Sequence, residues 1–178
     1  MLDATIEILL TGGIEDLTVA RVAARSGVHE TTIYRRWRCP GNLAVDAIIN
    51  RVESQVPDPD TGRLHQDLLC LVRDVAVFMA GPLGTVMLRL ALRTDLPDLP
   101  AMRERFWENR KALGRRILQR ALDRGELRPG TDLQVAFEML VAPLHARTLL
   151  TRLPVDDPFL TTVVDHLMAG IAAPDPEG

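Results

Sequence analysis

Apolar positions recur along most of this chain at intervals of three and four, the spacing of one face of an α-helix. Leu2, Ile6, Leu9 and Leu10 predict a first helix over residues 2–11, stopped by Gly12-Gly13, with Ile14 and Leu17 sealing the loop behind it. Thr18 suits the cap of a second helix, because its hydroxyl can accept from a free amide of the first turn. Val19, Val22 and Ala23 then share a face. Gly27 ends that helix, since glycine takes the left-handed conformation without penalty. Val28 fills the angle, and Ile33 and Trp37 form the stripe of a short third helix. Arg38-Cys39-Pro40-Gly41 reads as a break. A fourth helix over residues 42–55 turns Leu43, Ala47, Ile48 and Val52 to one side and should connect the N-terminal head to the rest.

Residues 56–62, VPDPDTG, read as a turn-rich linker. Beyond them the pattern predicts five helices. The first covers residues 63–80, with Leu64, Leu68, Leu71, Val72, Val75 and Met79 apolar, and Gly81-Pro82 punctuates it. The next covers residues 83–94 and ends in a proline-rich break over 95–100. A long helix over 101–124 has Met102, Phe106, Leu113, Ile117 and Leu118 on its apolar side. Its outer side carries Arg103, Arg105, Arg110, Lys111, Arg115, Arg116, Arg120 and Arg124, interleaved with Glu104 and Glu108 as a solvated, ion-paired face. Gly125 caps it and Pro129-Gly130 turns the chain. Two strongly apolar helices follow at 133–152, with Pro143 expected to bend it, and at 158–171. Helices so apolar must bury more than one stripe. The tail AAPDPEG reads as disordered. The fold class is all-α, about nine helices, divided as 1–41, a connecting helix at 42–55, a helical domain at 56–172 and a tail at 173–178.

Composition agrees: 178 residues, 47% hydrophobic and poor in aromatics, suit one or two small helical domains. No apolar run is long enough to cross a bilayer, and the N-terminus lacks the features of a secretory signal, so a cytoplasmic protein with no membrane partner is expected. Cys39 and Cys70 have no CxxC spacing and are expected to be reduced. Net charge is −3. The region from Arg21 to Arg38 reverses that balance, since Arg21, Arg25, Arg35, Arg36 and Arg38 face only Glu30. Local positive charge of this kind is the footprint of phosphate contact.

The second and third helices form a helix-turn-helix pattern. Opposite Ile33 and Trp37, the third helix carries Glu30, Thr31, Thr32, Arg35 and Arg36, with Tyr34 at the edge, residue types that a DNA major groove accepts. The run ARSGVHETTIYRRW, with LTVARVA before it and NLAVDAI after it, resembles the DNA-binding domain of the TetR family of transcriptional regulators. Three features depart from the family pattern. His29 stands where Ser or Thr is usual, Pro40 where Lys or Arg is usual, and the sequence starts at Met1 already inside the first helix, so the basic arm usual before that helix is either absent or outside the sequence.

The resemblance implies a homodimeric repressor that binds double-stranded DNA at a palindromic operator and releases it on binding a small apolar or amphipathic effector. It assigns phosphate contacts to Thr18, Thr32 and Tyr34. Arg35, Arg36 and Arg38 add charge-assisted contacts, with Arg38 partly replacing the base missing at Pro40. Glu30 and Thr31 face the groove floor, and His29 caps the recognition helix or touches phosphate or base. The last two helices should pair with a second copy, through Leu144, Leu149, Val163, Leu167 and Ile171. The effector pocket is expected among Phe78, Met87, Leu88, Phe106, Trp107, Phe137, Leu140 and Leu144, with Arg110 and His145 as polar anchors. Leu144 is thus claimed by both pocket and interface. As plain residue pattern, the same aromatic and aliphatic cluster is what a helical core requires, and His145 suits a satisfied core or interface histidine.

Catalytic signals are weak. The serines are Ser26 and Ser54 alone, and no phosphate-binding glycine motif occurs. His29, His65, His145 and His166 lack metal-ligand spacing, so no cofactor or metal is implied and no enzyme is expected. A second reading, supported by Pro40 and the missing arm, is a helical small-molecule sensor or protein-interaction domain that no longer binds DNA.

Overall fold

A computed structural model describes residues 1–91 and 99–173. Its helices are Leu2–Gly12 (α1), Val19–Ser26 (α2), Glu30–Trp37 (α3), Pro40–Gln55 (α4), Leu64–Ala80 (α5), Pro82–Ala91 (α6), Leu99–Asp123 (α7), Leu133–His145 (α8) and Asp157–Ile171 (α9), and a π-helical segment, Ala146–Thr151, continues α8. The protein is all-α, as its periodicity predicts; the β-type pairing among the described residues is one antiparallel bridge, Leu127 to Ala172. No single helix among them is long and apolar enough to cross a membrane. The expected end of the sixth helix and most of the break after it fall outside the described residues.

The chain forms two compact units: Met1–Gln55 with Phe78–Glu108, and Val56–Val77 with Asn109–Gly178. The first unit therefore includes α6 and the start of α7 beside the N-terminal helices, where the sequence suggested a boundary near residue 56. Its core is built on Ile8, Leu9, Val22, Ile33, Leu43 and Ala44, all essentially inaccessible to solvent. Leu10, expected inward, is exposed. Thr5 takes an inward position instead, its hydroxyl donating to the Met1 carbonyl at 3.1 Å. Pro40 and Gly41 do not break the chain but begin α4. Proline is suited to a first helical turn, where an amide would lack a partner anyway. The break is confined to Arg38 and Cys39, with Arg38 at φ 64°. At the α5–α6 corner a Cβ on Gly84 would lie 2.2 Å from the Phe78 carbonyl oxygen, so only glycine lets α6 approach that closely.

In the second unit the core is Leu64, Leu68, Leu71, Ile117, Leu118, Leu140, Leu144 and Val164. Linker 56–62 is pinned down rather than loose. Val56 is buried. The Thr61 amide and hydroxyl both donate to Asp67 Oδ1, at 2.6 and 2.7 Å, and Arg120 donates to Asp58 and to the Pro59 carbonyl. Asp67 is itself buried, with the Arg124 guanidinium 3.6 Å from its other oxygen. Glu126 caps the start of α5 by accepting from the Leu64 amide at 2.6 Å.

Pro143 does disturb α8. Proline offers no amide to the preceding turn. The α-helix ends at His145 rather than at residue 152, and the Ala146 amide is shared between the Ala142 and Pro143 carbonyls as the chain widens into the π segment. Asp156 caps α9, accepting from the Phe159 amide at 3.1 Å. Ala172 and Ala173, expected in the disordered tail, are held: the Ala173 N–H donates to the Glu126 carbonyl at 2.9 Å, and the Ala172 carbonyl accepts from Arg128 Nε at 2.8 Å. The remainder of that tail lies outside the described residues.

Candidate DNA-binding site and effector region

The helix-turn-helix follows from local chemistry. Thr18 sits in extended backbone and its hydroxyl accepts from the Arg21 amide at 3.2 Å, capping α2 as expected. Gly27 takes φ 70°, the left-handed conformation that turns the chain. Ile33 and Trp37 point inward, so α3 presents Glu30, Thr31, Thr32, Tyr34, Arg35 and Arg36 to solvent as one face. Tyr34 is 52% exposed, large for an aromatic residue unless its ring meets something outside the chain.

His29 occupies the N-cap position of α3, but its side chain makes no capping bond. Its Nδ1 lies 3.1 Å from the Thr31 hydroxyl instead, so the capping role expected of it is not present. An imidazole on a short stem reaches past the first-turn amides, whereas a serine or threonine oxygen meets them. Arg38 leaves the helix at a positive φ of 64° and is exposed just beyond its C-terminus. Local charge is also redistributed. Arg21 pairs with Asp16 at 2.8 Å and Arg25 with Glu7 at 2.6 Å, acids that lie outside the arginine-rich window. The positive face therefore concentrates on Arg35, Arg36 and Arg38. Arg36 lies 4.6 Å from the Trp37 ring centroid, a cation–π geometry that holds its guanidinium on the exposed side of α3.

Two residues support this face from outside it: Asp46, and Arg105, which the pattern placed on the solvated outer side of the long helix without a partner. The Trp37 indole N–H donates to Asp46 Oδ2 at 2.7 Å, and Arg105 donates to Asp46 Oδ1. The available signal was one acid inside the apolar run LAVDAII of α4. Nothing local points to Arg105.

The expected effector residues divide between the units. Phe78, Met87, Leu88, Phe106 and Trp107 belong to the first; Arg110, Phe137, Leu140, Leu144 and His145 belong to the second. In the first, Phe106 and Trp107 meet edge to face with centroids 5.8 Å apart, and Phe78, Met87 and Leu88 are half-buried. In the second, Leu140, Leu144 and Phe137 are buried, and the Phe137 ring covers Gly114. Arg110, placed on the outer face of the long helix by its pattern, is buried and donates from Nε to Asn109 Oδ1 at 2.9 Å. His145 is half-buried, with Nδ1 2.9 Å from the Val141 carbonyl. A carbonyl only accepts, so that nitrogen carries the proton.

Of the expected dimer residues, Leu144 and Leu167 are turned into their own protomer, 0% and 5% exposed, and cannot meet a second copy. Leu149, Val163 and Ile171 are half-buried. The large apolar residues that α8 leaves in solvent are Val135 and Met139, one helical turn apart on the opposite face.

These features define a transcription regulator that reads DNA through a helix-turn-helix. Two family profiles match the chain: "Bacterial regulatory proteins, tetR family" over residues 1–38, and "Tetracyclin repressor-like, C-terminal domain" over residues 58–167. The HTH-type transcriptional regulator AqdR of Rhodococcus erythropolis is 33% identical over 89% of this chain and 76% of its own. An uncharacterised HTH-type regulator of Bacillus subtilis, YdeS, is 29% identical over 97% and 88%. The crystal structure of the TetR family regulator SCO0332 superposes with a TM-score of 0.82 at 38% identity, covering 97% of this chain and 96% of that one. The chain belongs to the TetR family of transcriptional regulators, a family of DNA-binding proteins and not of enzymes.

Proposed function

We propose that this protein is a ligand-responsive repressor that acts as a homodimer in the cytoplasm. The observation that carries the reading is α3: Ile33 and Trp37 lock it into the head, which leaves Glu30, Thr31, Thr32, Tyr34, Arg35 and Arg36 together on the outer face. Two such faces, related by a two-fold axis, read half-sites in successive major grooves roughly 34–36 Å apart. Thr18, Thr32 and Tyr34 hold phosphates through hydroxyls, with Arg35, Arg36 and Arg38 adding charge. Glu30 and Thr31 read base edges, Glu30 by accepting from a cytosine amine. The second copy packs on the solvent side of α8 and α9, where Val135 and Met139 of α8 are 48% and 58% exposed and Val163 of α9 is half-buried. An apolar or amphipathic effector that holds the recognition helices at another spacing lowers operator affinity by its differential affinity for the two states.

The test is a mobility shift on duplexes enriched from a random pool by the wild-type protein. Tyr34→Phe should weaken every bound sequence about equally, by about fivefold for one lost hydrogen bond. Glu30→Ala should relax preference at one base position. Two variants that change only the salt dependence and leave base preference intact would remove α3 from the base-reading role.

A further inference from the structure

We propose that Asp46 is the joint through which the first turns of α7 hold the recognition helix, coupling DNA contact at α3 to the position of α7. The proposal rests on the DNA-reading role given to α3 above. Trp37 is the last residue of α3 and its side chain is buried, so its indole N–H needs a partner. That partner is Asp46 Oδ2, at 2.7 Å. The carboxylate's second oxygen accepts from the Arg105 guanidinium on α7. Each oxygen thus serves a donor from a different helix, and the two donors are 68 residues apart in sequence. On the other side of the indole lies Arg36, 4.6 Å from the ring centroid and on the groove face. A continuous path, Arg36 to Trp37 to Asp46 to Arg105, therefore runs from the phosphate-facing surface to α7 inside one compact unit.

An isolated surface ion pair would contribute little. Here the carboxylate is shared. The guanidinium fixes its orientation and charge, and the charged oxygen then takes the indole N–H in a charge-assisted bond. Withdrawing Arg105 leaves Asp46 free to turn toward solvent and leaves a buried indole donor poorly held. The C-terminal turn of α3 then loses its anchor. Arg105 lies in the first turns of α7, Leu99 to Glu108, which belong to the same compact unit as α3 and α4, so a displacement of those turns reaches this joint. Asp46 and Arg105 are positioning residues: they act on DNA through Trp37 and Arg36.

The experiment uses the whole protein and the duplex enriched by selection with wild type. Arg105→Gln and Asp46→Asn should each weaken duplex binding about fivefold, equivalent to about 1 kcal/mol. The double variant should be no weaker than the weaker single, because both break one path. Arg105→Lys should recover part of the loss. Arg105→Gln should also shift the Trp37 indole N–H resonance. Wild-type duplex binding should slow amide exchange in α3 and at residues 99–108, whereas in Arg105→Gln only α3 should be protected. Duplex binding and exchange in Arg105→Gln identical to wild type would overturn the coupling while leaving DNA reading intact. A pool from which wild type enriches no duplex would overturn both.

Discussion

Replacing Gly114 by alanine should destabilise the protein, although alanine is the better helix former. In the middle of a helix the exchange by itself gains about 1 kcal/mol. Gly114 lies on α7 where α8 crosses it, and an added Cβ would stand 2.2, 2.3 and 2.8 Å from three carbons of the Phe137 ring. Ordinary contact begins near 3.4 Å, so the ring must retreat by about 1 Å. Phe137 is 5% exposed and cannot swing into solvent without losing its burial. Overpacking of a dense core costs about 1–3 kcal/mol, and a ring blocked by three sub-contact distances belongs at the upper end. Subtracting the helix gain leaves a net loss of about 2 kcal/mol, or a fall in melting temperature of about 4–8 °C for a chain of this size. Urea unfolding at fixed protein concentration, which holds any oligomer contribution constant, measures it. Phe137→Leu should cost stability alone but absorb the damage in the double variant, giving a coupling of about 1 kcal/mol or more. A Gly114→Ala protein as stable as wild type would refute the packing of α7 on α8 described above. It would also return Phe137 to the list of side chains able to face an effector.

Two further outcomes follow from the second unit. The hydrogen bond from Arg120, helped by Arg116, holds the Asp58 carboxyl below its ordinary 3.8 against the opposing effect of burial. A depressed folded value means that the stabilisation is present above that pH and is lost as pH falls through the lower folded value. Asp58→Asn should therefore be less stable than wild type at neutral pH, and the gap in urea midpoint should close as pH falls through the lowered Asp58 value; a gap that persists once that carboxyl is protonated contradicts the pairing. For the subunit interface, Met139→Asp with Val163→Asp should yield a folded monomer in sedimentation, because neither side chain is fully enclosed in its own protomer. Leu167→Asp should instead unfold the chain, since Leu167 is buried within it. An unchanged dimer from the first pair would move the interface off this face.

Local physics made the head legible from sequence. Capping at Thr18, the left-handed Gly27 and the four-residue spacing of Ile33 and Trp37 each act within one or two turns, and together they dictate two helices, their turn and the outward face of α3. The helical identity of the rest was legible for the same reason. Orientation was not legible where a helix is apolar all round. α8 offers Val135, Phe137, Met139, Leu140, Val141 and Leu144, and periodicity cannot say which of them the protomer buries. Packing decided it: Phe137, Leu140 and Leu144 turn inward, while Val135 and Met139 remain outside, so Leu144 and Leu167 were lost as interface residues. Pro40 read as a breaker because proline disrupts a helix interior, yet it can begin a helix, and the tertiary structure chose the second use. Charge pairing was hidden most completely. Arg120 meets Asp58 across 62 residues and Arg105 meets Asp46 across 59, and no sequence period links partners that only the folded chain brings within hydrogen-bond reach.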